Sequence, residues 1–147
     1  MKKSIVLGVL VFNLISTSVF ASTARGIGKQ VEAAFRKKFV KAEEVQWEDM
    51  GDFDRATFRL DGAVLSAYYY PNGDLIAVIR HILSDQLPIH LLVSLKDNYS
   101  NYWIIDLFEM YKDGKTYYFV TLNSIDQEVI LESESGEEWN AFKREKE

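Results

Sequence analysis

The sequence predicts an α+β domain of two tandem repeats, each a helix followed by a four-stranded antiparallel meander, with the helices on one face of the sheet. Three observations predict it. Two stretches carry apolar residues at helical spacing, each is followed by runs in which apolar and polar residues alternate, and the turn signals recur at a nearly constant offset. Gly51 to Asp113 and Asp61 to Asn123 are both 62 positions, and Asn72 to Ser135 is 63. Regular turn spacing is common to hairpin proteins, so the helix ahead of both strand sets is what makes the offset read as a duplication.

In the first unit, Val31, Ala34, Phe35, Phe39, Ala42 and the stem of Lys38 share one helix face, with Arg36, Lys37 and Lys41 opposite. Val45 and Trp47 alternate with Gln46 and Glu48 up to a turn at Gly51-Asp52. Ala56, Phe58 and Leu60 alternate with Arg55, Thr57 and Arg59, and Asp61-Gly62 is a two-residue hairpin signal. A run from Ala63 to Tyr70 ends at Pro71-Asn72-Gly73-Asp74, and a fourth covers Leu75 to Ile82. In the second unit Leu87-Pro88 opens a helix, because proline lacks only an N–H that the first turn leaves unpaired. Asp85 is the expected cap, and Ile89, Leu92, Leu95 and Tyr99 are the expected apolar face. Runs at Tyr102 to Tyr111, Lys115 to Leu122, Asp126 to Leu131 and Glu138 to Phe142 complete the set.

With helices on one side, alternation assigns Val45, Trp47, Ala56, Phe58 and Leu60 to the core and leaves Gln46, Glu48, Arg55, Thr57 and Arg59 on the open face. The repeat offset puts Ile105, Leu107, Tyr118, Val120 and Leu122 inside, and Phe108, Met110, Tyr117 and Phe119 outside. Tyr68, Tyr69 and Tyr70 are consecutive, so at least one of them points outward. An open face with arginines and aromatic rings has the composition of a protein-binding surface. The partner-binding candidates are therefore Arg55, Arg59, Tyr68, Tyr70, Phe108, Tyr117 and Phe119. If instead the two halves pack on each other, or the chain dimerises, these rings are covered.

The first residues have the zones of a secretory signal: Lys2 and Lys3, an apolar run from Ile5 to Ile15 interrupted at Asn13, and a small-residue exit at Val19-Phe20-Ala21. A signal peptide over residues 1–21, removed after Ala21, is expected. The apolar run is shorter than the roughly 20 residues a bilayer span needs. No cysteine follows it to carry a lipid. The expected mature domain, 22–147, has repeats at about 29–83 and 85–143. It holds 15 basic and 22 acidic residues, a net charge of −7. That balance disfavours nucleic acid and anionic membrane surfaces. The expected location is periplasmic or secreted, where disulfides are permitted, although this chain has no cysteine.

Groups able to run nucleophilic or metal chemistry are sparse. His81 falls in an expected strand and His90 in the first turn of a helix, with no second histidine at helical spacing to complete a zinc site. No serine sits in a Gly-x-Ser-x-Gly elbow, and Gly26-Ile27-Gly28 does not follow a strand as a nucleotide loop must. Asp52-Phe53-Asp54 and the group Glu132, Glu134, Glu137 and Glu138 lack calcium-loop spacing. No catalytic, cofactor or metal residue is assigned, and the chain is not expected to be an enzyme. The leading expectation is an exported non-enzymatic module that docks a protein or peptide, including as an inhibitor, through the open sheet face. The alternative is a periplasmic sensor domain for a small ligand or ion, using a cleft between the halves or the acidic turns. A glycan hydrolase working by carboxylates alone comes third, since no acid pair lies on neighbouring strands facing one cleft.

Phe35-Arg36-Lys37-Lys38-Phe39, Val45-Gln46-Trp47, the run from Ala67 through Tyr70-Pro71-Asn72-Gly73-Asp74 to Ile76, and Leu87-Pro88 together resemble the PepSY-like family grouped with β-lactamase-inhibitor-like proteins. The similarity spans nearly all of residues 29–142, and its motifs are structural in kind. It implies exported proteins built of helix-plus-sheet repeats, whose open sheet face binds another protein. Inhibitor-type relatives carry disulfides and insert an acidic loop residue into an enzyme's active site. This chain has no cysteine, and no position matches that acid.

Overall fold

The computed structural model describes residues 26–142; the expected signal peptide lies outside the described residues. Helix α1 (Lys29–Lys38) precedes β1 (Glu43–Asp49), β2 (Asp54–Leu60), β3 (Ala63–Tyr69) and β4 (Leu75–His81). A 3-10 turn at Ser84–Gln86 leads into α2 (Ile89–Asn98). Strands β5 (Trp103–Lys112), β6 (Lys115–Asn123), β7 (Glu128–Glu134) and the two-residue β8 (Asn140–Ala141) follow.

The expected pair of tandem repeats, each with its own four-stranded meander, is corrected by the strand pairing. The strands form one eight-stranded sheet in the order β1 to β8, antiparallel throughout. Only two α-helices accompany it among the described residues, so the architecture is α+β only in a loose sense. The deciding seam is β4 with β5, where Val78, Ile79, Arg80 and His81 pair with Tyr111, Met110, Glu109 and Phe108. Two separate meanders would each leave a strand edge of unpaired N–H and C=O groups there, and joining them removes both edges. Side chains cross the same seam, with Tyr68, Ala77 and Ile79 in one apolar cluster with Met110, Phe108 and Phe119.

Local chemistry accounts for three of the turns and for the ends of both helices. Asp61-Gly62 and Asp113-Gly114 carry positive φ at both positions, 48° and 84° in one and 50° and 80° in the other. That is the backbone of a two-residue hairpin loop, whose twist matches its strands. Gly73, at φ 92°, closes the β3–β4 turn directly under α1, where a Cβ would stand 3.2 Å from the Gln30 carbonyl. In α1, Glu32 in the first turn and Arg36, Lys37 and Lys38 in the last match the helix dipole. Helix α2 has Pro88 at its N-cap with no side-chain cap bond, so the cap expected at Asp85 is not made; that residue belongs to the preceding 3-10 turn.

Both helices lie over the same side of the sheet. Val31 and Phe35 of α1 pack on Ala56, Phe58, Ala67 and Tyr69, while Leu91 and Leu95 of α2 pack on Leu107, Val120, Leu122 and Leu131. The apolar face expected for α2 is rotated by a fraction of a turn: Leu91 replaces Ile89 inside, and Ile89 is exposed. Val45 and Ile105, expected in the core, are exposed as well. Register shifts lie between Glu43 and Gln46 and between Ile104 and Asp106, and a bulge adds a residue that strict alternation cannot count.

Tyr69 packs on the helix side against Phe35 and Trp47. Its hydroxyl is buried without a hydrogen-bond partner, and burial pushes its pKa up to about 12. An unpaired buried hydroxyl carries a desolvation cost that a plain ring avoids. Tyr69→Phe is therefore expected to raise stability by about 1 kcal/mol, to be checked by thermal melting.

Candidate functional site

Register identifies the residues of the face that the helices leave uncovered. Arg55 pairs with Tyr68 and Tyr68 with Ala77, while Thr57, Ser66, Ile79, Met110, Tyr117 and Glu134 form the next row across six strands. His81, Phe108, Phe119, Glu132 and Asn140 form a third row. Cα partners share a face in a sheet, so these side chains all project away from α1 and α2.

The candidates chosen from the sequence come together here to differing degrees. Tyr68, Phe108 and Phe119 sit in one cluster with Phe53, Ile76, Ala77, Ile79 and Met110, and Tyr70, Tyr117 and Phe142 pack against it. Arg55 adjoins the cluster through Tyr68. Arg59 stands apart, its Nε 3.5 Å from an oxygen of Glu44. Three of the seven are not open surface: Tyr68, Phe108 and Phe119 are only 2%, 2% and 1% exposed. Phe108 and Phe119 stack with centroids 5.0 Å apart, and Phe142 closes edge-on over Phe119 at 5.7 Å. Phe53, from the β1–β2 turn, tilts against Tyr68 at 5.9 Å. Tyr70 and Tyr117 are half-buried, Arg55 is partly exposed and Arg59 exposed.

Electrostatics divides the face. On the β2 side, Arg55 Nε donates to Glu48 at 2.9 Å. Burial opposes the charge on Arg55, but its hydrogen bonds to Glu48 and Tyr68 outweigh that and raise its pKa. Burial pushes the Tyr68 hydroxyl up, with Arg55 pulling the other way. On the β7 side, burial and then the neighbouring Glu134 raise the Glu132 carboxyl. Glu134 is paired with Lys115.

Sequence reasoning missed two contributors. His81 Nε2 lies 3.2 Å from an oxygen of Asp106, and its ring meets Phe108 edge-on at 6.0 Å. Phe53 was masked by its acidic neighbours Asp52 and Asp54, although its place beside a turn glycine on the far side of an alternating strand was a usable signal. The hydrogen bond to Asp106 raises the His81 pKa against partial burial. A histidine whose folded pKa is raised contributes stability that is fully present below its unfolded value, about 6.5, and is lost as pH rises through the higher folded value. Stability is thus expected to fall across that window, and His81→Asn to flatten that part of the pH profile in denaturant melts. Histidine His90 has a structural role instead, with Nε2 bonded to the Gly136 carbonyl.

No group of three or more His, Cys, Asp or Glu placed to hold a metal occurs among the described residues. Likewise no described helix is long and apolar enough to cross a membrane.

No protein-family model and no curated protein sequence matches the chain. Solved structures do resemble it. A BLIP-like protein from Bacteroides fragilis aligns with a TM-score of 0.69 at 19% identity, over 82% of this chain and 90% of its own. A DUF2874 family protein from Bacteroides uniformis gives 0.68 at 14%, over 76% and 84%. A protein from Bacteroides eggerthii, provisionally named as periplasmic, gives 0.68 at 11%, over 79% and 89%. At these identities the likeness is one of fold, and the fold shared is the BLIP-like one.

Proposed function

We propose that this chain is a non-enzymatic binding module, of the kind that includes inhibitors, which docks a protein or peptide through the helix-free face of its sheet. The observation that supports it is the aromatic cluster on that face, built from strands β3 to β6 and the segments next to them, with Arg55 beside it on one flank and the Glu132 and Glu134 carboxylates on the other. In this reading the seven candidates divide the work. Tyr68, Phe108 and Phe119 form a rigid base, and Tyr70, Tyr117, Arg55 and Arg59 make the contact above it. A rigid base lowers the side-chain ordering cost of association. Half-exposed tyrosines and arginines are the residue types that dominate such interfaces.

The BLIP-like neighbour supports an inhibitor-like role, and the neighbour provisionally named as periplasmic supports a periplasmic or secreted location. The signal segment at 1–21 and the mature domain at 22–147 fit that location. The PepSY-like grouping rests on the motifs from Phe35 to Pro88. The test is retention of an envelope protein by the immobilised chain, with Tyr117→Ala and Arg59→Ala as comparisons. A partner held equally by the wild type and both variants would count against this face.

A further inference from the structure

Strands β3 and β4 pair antiparallel, with a register shift between Tyr68 and Tyr69, and then separate. Their pairing runs from Tyr69 to Ser66 on β3 and ends at Ser66 with Ile79. Beyond that point Ala63, Val64 and Leu65 stay with β2, while Arg80 and His81 stay with β5. Ile82 continues the second allegiance, its N–H donating to the Leu107 carbonyl at 3.1 Å. Between the parted strands lies a cleft of about 440 Å³, lined by Val64, Ser66, Ile79, His81 and Gln86 among others.

Hydrogen-bond phase fixes which backbone groups face this cleft. Leu60 and Ala63 flank the two-residue Asp61-Gly62 turn, so they form a mutually bonded pair. Alternation then makes Phe58 with Leu65 the next bonded pair and turns the N–H and C=O of Val64 away from β2, into the cleft. On β4, the bond from Ile82 to β5 means that Ile82 and Arg80 face β5, so the N–H and C=O of His81 face the cleft from the other side. In a closed register Val64 and His81 would bond each other. The splay leaves that exchange unmade.

Side chains around the cleft are committed elsewhere. Arg80 is held by Glu109 at 2.6 Å and His81 by Asp106 at 3.2 Å. The Ser66 hydroxyl is 3.3 Å from that of Thr57, and Gln86 Oε1 accepts from the Leu83 N–H at 2.8 Å. The cleft therefore offers two main-chain pairs and no uncompensated charge. Val64, 54% exposed, adds an apolar lip.

We propose that the β3–β4 cleft receives an uncharged, extended peptide segment as an inserted strand, distinct from docking on the ring face. Consecutive residues of an extended chain point their N–H and C=O groups to opposite edges, one to Val64 and the next to His81. The inserted strand runs antiparallel to β3 and therefore parallel to β4.

Amide hydrogen exchange by NMR on the full chain tests this, using an acetylated and amidated hexapeptide of alternating threonine and valine as the probe. In the free protein the Val64 and His81 amides should exchange much faster than that of Ala67, which is bonded to β2. At about 100 times its dissociation constant the peptide should slow both by about 100-fold. A version N-methylated at alternate residues, which cannot bond along one edge, should lose this effect. Val64→Pro, which removes a cleft-facing N–H and no bond to β2, should weaken it. Amides already as protected as Ala67 would mean a closed cleft and overturn the proposal. Fast amides unaffected by saturating peptide would mean a merely hydrated cleft. Equal protection by the methylated peptide would mean apolar adsorption, and either of these results also overturns it.

Discussion

Phe35→Ala is expected to destabilise the fold by about 3–5 kcal/mol, lowering the melting temperature by about 10–20 °C. Phe35 is 3% exposed and sits where α1 meets the sheet. Four rings surround it: Phe39 at 5.2 Å, Trp47 at 5.2 Å, Phe58 at 4.9 Å and Tyr69 at 6.4 Å. Three of those contacts are edge-on, the arrangement that aligns ring edges with ring faces and adds to area burial. Removing the ring leaves a cavity that rigid aromatic neighbours cannot collapse into. It also releases the helix, since Val31 is the only other fully buried residue of α1. A loss below about 1 kcal/mol in a denaturant titration would show that α1 is anchored elsewhere.

The second large effect separates stability from binding on the helix-free face. Phe119→Ala should cost about 3 kcal/mol or more, because Phe119 is 1% exposed between the stacked Phe108 and the edge of Phe142. Tyr117→Ala, two residues along the same strand and half-buried, should change stability by about 1 kcal/mol or less. The two substitutions should reverse their order in function. Tyr117→Ala should weaken partner capture by about 2 kcal/mol, some 30-fold, with the melting temperature nearly unchanged. If Tyr117→Ala binds normally and Phe119→Ala fails only as far as it unfolds, the ring cluster is a second core and nothing more.

That contrast shows what was legible in the residues and what was not. Alternation correctly sorted Ala56, Phe58, Leu107, Val120 and Leu122 from Arg55, Arg59, Phe108, Met110 and Phe119, because side-chain period is a property of a single strand. It failed at Val45 and Ile105, where a register shift inserts a residue, since bulges are set by the partner strand. The turns at Asp61-Gly62 and Asp113-Gly114 were readable from residue type. The joining of β4 to β5 was not, because both half-sheets write the same local pattern whether or not they merge. For the candidate site, the face could be read for Arg55, Arg59, Phe108, Tyr117 and Phe119 but not which of Tyr68 and Tyr69 faces out, and depth could not be read for any of them. Phe108 and Phe119 project where expected and are nevertheless buried, because rings from adjacent strands fill the space above one another. The splay of β3 from β4 left no trace in composition, because the residues on either side of it, Ala63 to Leu65 and Arg80 to Ile82, read as ordinary strand.

The uninterrupted order β1 to β8 also bears on how the molecule is assembled. Each strand meets its partner after closing only a short loop, except where α2 spans the link from β4 to β5, so the entropy lost at each step is small. A chain delivered from its N-terminus onward can lay down each hairpin as soon as it appears. The unfinished β4 edge is then the exposed, sticky stage until β5 arrives, and α2, whose Leu91 and Leu95 pack on β5, β6 and β7, gains its docking surface only from that point on.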